Sequence, residues 1–108
     1  MQIIIVGCGN VGSTIVEKLS KEGHNITVID TKADAIKNIT INYDVMGMVG
    51  NGAGYSMQRD AGIEGADLMI AVTGSDELNL LCCLIAKKAG GCHTIARVRN
   101  PVYSREIS

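Results

Sequence analysis

In Gln2-Ile3-Ile4-Ile5-Val6-Gly7-Cys8-Gly9-Asn10-Val11-Gly12 an apolar run, Ile3–Val6, passes directly into a G-x-G-x-x-G turn. The run has the length and β-branched content of a strand buried on both faces, as a parallel sheet covered by helices requires. Val11, Ile15, Val16 and Leu19 then recur at helical spacing and predict a helix over 11–21. A second β-like run, Asn25–Asp30, ends in an acid. Strand, glycine turn, amphipathic helix, second strand and terminal acid are the dinucleotide-binding fingerprint in its structural setting. Within it Gly7 permits the tight turn, Gly9 lets a diphosphate approach the backbone, and Gly12 lets the helix pack closely on the strand.

The alternation continues outward from this stretch. A helix is predicted over 32–41 and a strand over 45–49. After the Gly50-Asn51-Gly52-Ala53-Gly54 turn, a short helix runs to about residue 61. A strand over 68–72, the longest helix over 75–89 and a strand over 94–98 complete the pattern. Short links between alternating β and α elements imply right-handed parallel crossovers. The expected fold is therefore α/β: a Rossmann-like doubly wound parallel sheet, five strands in order 3-2-1-4-5, helices on both faces. The chain, 1–108, reads as one domain. The sixth strand of the full dinucleotide fold is missing and 102–108 resembles the opening of a helix, so a piece of a longer protein is expected.

Composition narrows the function. Apolar residues make up 46% of the chain with no Phe or Trp, so the core must be built from Ile, Val, Leu and Met. A net charge of −1 without a basic face argues against nucleic acid. No apolar run has the length of a membrane span, and strand 1 starts at once without a leader, which reads as cytoplasmic with no direct membrane insertion. The four cysteines, Cys8, Cys82, Cys83 and Cys92, form no C-x-x-C pair and have no His at ligand spacing. They are expected as reduced core thiols, with Cys82 and Cys83 on different helix faces and Cys8 as a small residue that fits the glycine turn.

The first turn of the first helix contains no acid, so its N–H groups and positive dipole end are open to an anion. The long helix instead opens Ser75-Asp76-Glu77, where N-capping with dipole compensation is the plain reading. Asp30 at the end of strand 2 is placed to accept the hydroxyls of an adenosine ribose and to repel a 2′-phosphate, which favours NAD over NADP. Asn51 either hydrogen-bonds an adenine edge or merely makes an N-G turn. Thr73 and Gly74 end strand 4 on the same edge of the sheet. Arg97, in an apolar run near the end of strand 5, needs a partner: a ligand phosphate, or Asp76 or Glu77. No Ser/Tyr/Lys set, His/Asp pair or metal-ligand cluster is evident, so no catalysis is expected. The alternative is a cofactor-binding domain excised from an NAD-dependent oxidoreductase.

Taken together, Gly7-Cys8-Gly9-Asn10-Val11-Gly12, Asp30, Gly50-Asn51-Gly52, Ala66-Asp67-x-x-Ile70-Ala71-Val72-Thr73, Asp76-Glu77-x-Asn79 and Ile95-Ala96-Arg97-Val98-Arg99 closely resemble the TrkA-N family, also called KTN or RCK-N. These are N-terminal nucleotide-binding domains of regulatory subunits in Trk-type bacterial and archaeal potassium uptake systems. The resemblance implies a non-enzymatic sensor that binds NAD(H), ATP or ADP, assembles as a homo-oligomer and gates a membrane potassium transporter from its cytoplasmic side. Carried onto this chain, it implies that Gly7–Gly12, including Cys8, Asn10 and Val11, takes the diphosphate and Asp30 the ribose. Asn51 would lie by the adenine, Thr73 and Gly74 along the far part of the ligand, and Arg97 near phosphate or the second ribose. Asn10 stands where some ATP-responsive members carry an Arg, a departure that weighs against ATP. The C-terminal ligand-binding domain, and the second half found in many members, are absent from this chain.

Overall fold

Ile3, Ile4, Ile5 and Val6 are each at most 2% exposed, so the central strand is covered on both faces. It is β1, Gln2–Val6, and the computed structural model describes it within residues 1–103. The elements that follow are α1 (Asn10–Lys21), β2 (Asn25–Asp30), α2 (Ala33–Asn42), β3 (Met46–Val49), α3 (Tyr55–Asp60), a 3-10 turn at Ile63–Gly65, β4 (Leu68–Ala71), α4 (Asp76–Gly90) and β5 (His93–Ala96). All strand pairs are parallel and the order is β3-β2-β1-β4-β5, as the alternating pattern predicts.

Two cores flank the sheet. Side chains of one parity, among them Ile3, Ile5, Val28 and Ile70, pack under α1 and α2 through Val16, Ile36 and Ile39. The other parity, with Ile4, Val6, Ile29, Met69 and Ala71, packs under α3, the 3-10 turn and α4. Helices leave β1 and β4 toward opposite faces, so a crevice opens between these strands at their carboxyl ends, where open α/β sheets bind ligands.

Two sequence expectations need correction. The first concerns α4, whose inward stripe is Asn79, Cys82, Cys83 and Ala86, an i, i+3, i+4, i+7 pattern. Cys82 and Cys83 therefore share one core instead of occupying different faces: neighbours 100° apart both fit a wide stripe. Leu81 and Leu84 point outward, 46% and 53% exposed. The second concerns β5, which ends at Ala96 and not at Val98. Arg97 N–H makes the last ladder bond, to Ala71 O at 2.9 Å. Beyond it, side chains of α4 take over the backbone groups: Asn79 Nδ2 donates to Arg97 O at 2.9 Å, and Asp76 accepts from the N–H of Arg99 and of Asn100. The helix opening expected over 102–108 begins at 101–103, and 104–108 lie outside the described residues.

The tightest packing joins α1 to β1. A Cβ at Gly12 would collide with the carbonyl oxygen of Gly7 and stand 2.8 Å from its carbon. Gly7 itself sits at φ +103, a left-handed conformation that side chains disfavour, against the backbone of Val72 and Thr73. Gly12→Ala is expected to destabilise the domain by about 1–3 kcal/mol or more through overpacking. Urea unfolding of the two proteins side by side gives the difference, and equal midpoints would refute the close approach.

Candidate nucleotide-binding site

The carboxyl ends of β1, β2 and β4 border a cleft of about 700 Å³. Its lining includes Gly7, Cys8, Gly9, Asn10, Val11, Asp30, Asn51, Thr73, Gly74 and Arg97, so one place gathers all the expected residues except Gly12. Gly12 lies beneath the turn, where it serves the helix packing described above. Thr31, Ala35 and Leu78 also line the cleft without having been expected there, together with Val72 of the strand 4 motif and Lys32, the cation beside Asp30. Ala35 and Leu78 follow from helical periodicity only once the helices are placed over the strand ends.

The first bond of the α1 ladder runs from Ser13 N–H to Gly9 O at 2.8 Å. The N–H groups of Asn10, Val11 and Gly12 thus precede the ladder, and no acid stands in the turn. A Cβ built on Gly9 meets no protein atom within 4 Å. Internal packing does not demand a glycine there; the space over it belongs to the cleft, and it suits a group that must lie against bare backbone. At α4 the N-terminus is closed: Ser75 Oγ accepts from Leu78 N–H at 3.1 Å. Its two acids do more than cap. Asp76 holds the chain after β5, and Glu77 Oε2 accepts from the Tyr103 hydroxyl at 2.6 Å.

Asp30 is fixed before any ligand arrives. Its Oδ2 accepts from Cys8 N–H at 2.9 Å and from the Cys8 thiol at 3.5 Å, and Oδ1 accepts from Lys32 N–H at 2.8 Å. Burial pushes its carboxyl up, but these donors, with the Lys32 charge, outweigh that and hold it below the ordinary carboxylate value. Cys8 pays the reverse: burial first, then the Asp30 charge and its own donated bond, push the thiol up to about 12. The site therefore presents one ionised carboxylate and a neutral thiol at neutral pH.

Of the two roles expected for Asn51, the turn is the one observed. Its Oδ1 accepts from Ala53 N–H at 2.9 Å and makes the turn, which leaves Nδ2 for another acceptor. Thr73 is tied inward. Its N–H and hydroxyl both donate to Asn79 Oδ1, at 2.8 and 2.7 Å, while Asn79 Nδ2 donates to Thr73 O and Arg97 O. Asn79 is fully buried with both amide atoms doubly engaged, which locks the ends of β4 and β5 together at the cleft. Asp76 and Glu77, offered from sequence as partners for Arg97, are engaged by residues 99–103 and form no ion pair with it. The Arg97 guanidinium makes no hydrogen bond among the described residues, and the residue lines the cleft. All four cysteines are free and buried, and no His/Cys/Asp/Glu cluster able to hold a metal occurs among the described residues.

The family model for the TrkA-N domain matches residues 3–108. This chain belongs to the TrkA-N family. It is 42% identical over 104 residues to the Trk system potassium uptake protein TrkA of Halomonas elongata, covering 95% of this chain and 23% of that protein. The TrkA homolog of Archaeoglobus fulgidus is 41% identical over 103 residues, with the same coverage of 95% and 23%. The chain thus spans about a quarter of the length of these relatives. Among solved structures, the TrkA-N domain of the inner membrane protein ybaL from Escherichia coli superposes with a TM-score of 0.89 at 23% identity, over 98% of this chain and 78% of that one. The GsuK channel bound to NAD gives 0.86 at 22% identity, over 98% and 19%. At these identities the two structures establish a shared fold.

Two measurements follow from the polar ties. Asn79→Leu strands Thr73 N–H, Thr73 O and Arg97 O, at about 1–3 kcal/mol for each orphaned group, and should lower Tm by at least about 10 °C. Asp76 is held below the ordinary carboxylate range by the N–H donors of Arg99 and Asn100. A depressed carboxyl stabilises the fold above its unfolded pKa, and that contribution disappears as pH falls through the folded value. Tm should drop between about pH 5 and pH 3, less steeply in Asp76→Asn; parallel curves would show that the grip does not depend on ionisation.

Proposed function

We propose that this domain is the regulatory NAD(H)-binding module of a potassium uptake system. The observation that carries the reading is one cleft holding both an acid-free helix start over bare Gly9 backbone and a pre-anchored carboxylate, Asp30. A diphosphate lies at the N–H groups of Asn10–Gly12, and the adenosine ribose donates its hydroxyls to Asp30. Asn51 Nδ2 meets the adenine, Thr73 and Gly74 border the far half, and the Arg97 guanidinium offsets phosphate charge. Asn10 is a neutral amide at the helix start, so NADH or NAD takes precedence over ATP and ADP.

Membership of the TrkA-N family, and relatives named as potassium uptake proteins, support a regulatory and non-enzymatic role. The NAD-bound GsuK channel, with its TrkA-N-like fold, supports the choice of ligand and of partner. In this reading the domain is part of a longer protein, pairs with further copies of itself and sits at the cytoplasmic face of the membrane on a potassium transporter subunit. Among the described residues no helix is long and apolar enough to cross a membrane. A nucleotide with different affinities for two arrangements of the paired domains shifts their equilibrium, and the transporter with it.

Thermal unfolding with NADH, NAD, NADP, ATP and ADP tests the assignment. A nucleotide at about a hundred times its Kd adds about 2.7 kcal/mol. NADH or NAD should stabilise and NADP should not; Asp30→Ala should abolish that preference. Gly9→Ala should leave the unliganded Tm unchanged, since its Cβ meets nothing, yet weaken binding. Failure of every nucleotide to stabilise the chain would sink the proposal.

A further inference from the structure

Gln58 is the one polar side chain besides Asn79 that is buried outright among the described residues, at 0% exposure. It lies in α3, away from the cleft lining, within the core that contains Met48, Met57 and Ile63. Its Nε2 donates to Gly52 O at 2.8 Å and to Cys82 O at 3.0 Å. Two carbonyl oxygens facing one atom settle the orientation of the amide, since Oε1 in that place would meet only acceptors. Oε1 consequently has no partner. A leucine or methionine would fill this volume and remove the unpaired Oε1, but would leave the buried Gly52 O without a donor, so packing alone does not account for the amide.

Its two bonds do account for it. Gly50, Asn51 and Gly52 form the wall of the cleft beyond β3, and Gly52 is pressed on the Val6 side chain with no room for a Cβ. Cys82 belongs to α4, one turn after Asn79, which anchors Thr73 and Arg97 on the opposite wall. Both walls are thereby referred to the same two turns of α4, one through each buried amide. We propose that Gln58 is a positioning residue for the nucleotide: it sets the Gly50–Gly52 wall against α4, so that engagement of Asn51 is felt by the helix that holds Thr73 and Arg97. The proposal rests on the nucleotide-binding reading of the cleft.

Gln58→Met and Gln58→Leu, made in the full chain, remove the donor and the orphaned acceptor while keeping the volume. Three quantities are compared with the unsubstituted protein: the ligand-free Tm, the amide exchange of Ala53 and Gly54, and the Kd for NADH and for 5′-AMP by calorimetry. The Ala53 and Gly54 amides report on the wall because both bond to Asn51. Expected are a Tm lowered by no more than a few degrees, because losing the donor to Gly52 O is partly offset by losing the unpaired Oε1, exchange at these two amides about tenfold faster with α1 amides unaffected, and both Kd values about tenfold weaker. Unchanged exchange and affinity would overturn the proposal. So would a fall in Tm with uniformly faster exchange, which marks a residue needed only for packing. If the unsubstituted protein binds neither nucleotide, the functional reading fails, and localised exchange in the variants still separates that failure from the role of Gln58 in holding the wall.

Discussion

The cleft is built on a contact between main chains. At Gly12 the backbone of α1 rests on the carbonyl of Gly7, and Gly7 in turn abuts the backbone of Val72 and Thr73. Three segments, the turn after β1, the start of α1 and the end of β4, are thus stacked with no side chain between them. Side chains can re-choose rotamers, but stacked backbones have no such freedom. The floor of the site is therefore as rigid as the sheet that carries it. Asp30 is referred to the same floor, because Cys8 N–H, one residue past Gly7, holds its carboxylate. The charged group of β2 is thus held from two sides, by the turn after β1 and by the Lys32 N–H just past its own strand.

The far wall is organised differently, by α4 and its polar side chains. Asn79 gathers Thr73 and Arg97, Asp76 takes the chain leaving β5, and Ser75 closes the helix's own N-terminus. One end of the sheet then offers unlike helix starts: α1 without an acid or a side-chain cap, α4 capped by Ser75 and with its acids engaged. That asymmetry leaves α1 as the helix start whose free N–H groups face the cleft.

Most of this was legible in the chain because it rests on local periodicity. Strand order, the glycine turn and the acid ending β2 are all properties of a few adjacent residues, and the structure places them as read. What was not legible depends on how far a helix stands from the sheet. Leu81 and Leu84 are larger and more apolar, yet the inward stripe of α4 uses Cys82, Cys83 and Ala86, because small side chains let the helix approach closely. The end of β5 is likewise set by Asn79 and Asp76 reaching across from another element. Gln58 left only a faint mark, a polar residue beside Met57 in an otherwise inward position, and its bonds to Gly52 and Cys82 join segments that sequence alone does not bring together.

Cys8 carries a last consequence. Its thiol lies within the glycine turn, 3.5 Å from a carboxylate whose negative charge opposes a second one beside it. Peroxides and electrophiles attack the thiolate, and this sulfur has almost none to offer at neutral pH. Burial and the neighbouring carboxylate thus keep this cysteine as a neutral thiol in the wall of the cleft, with little thiolate for an oxidant to attack.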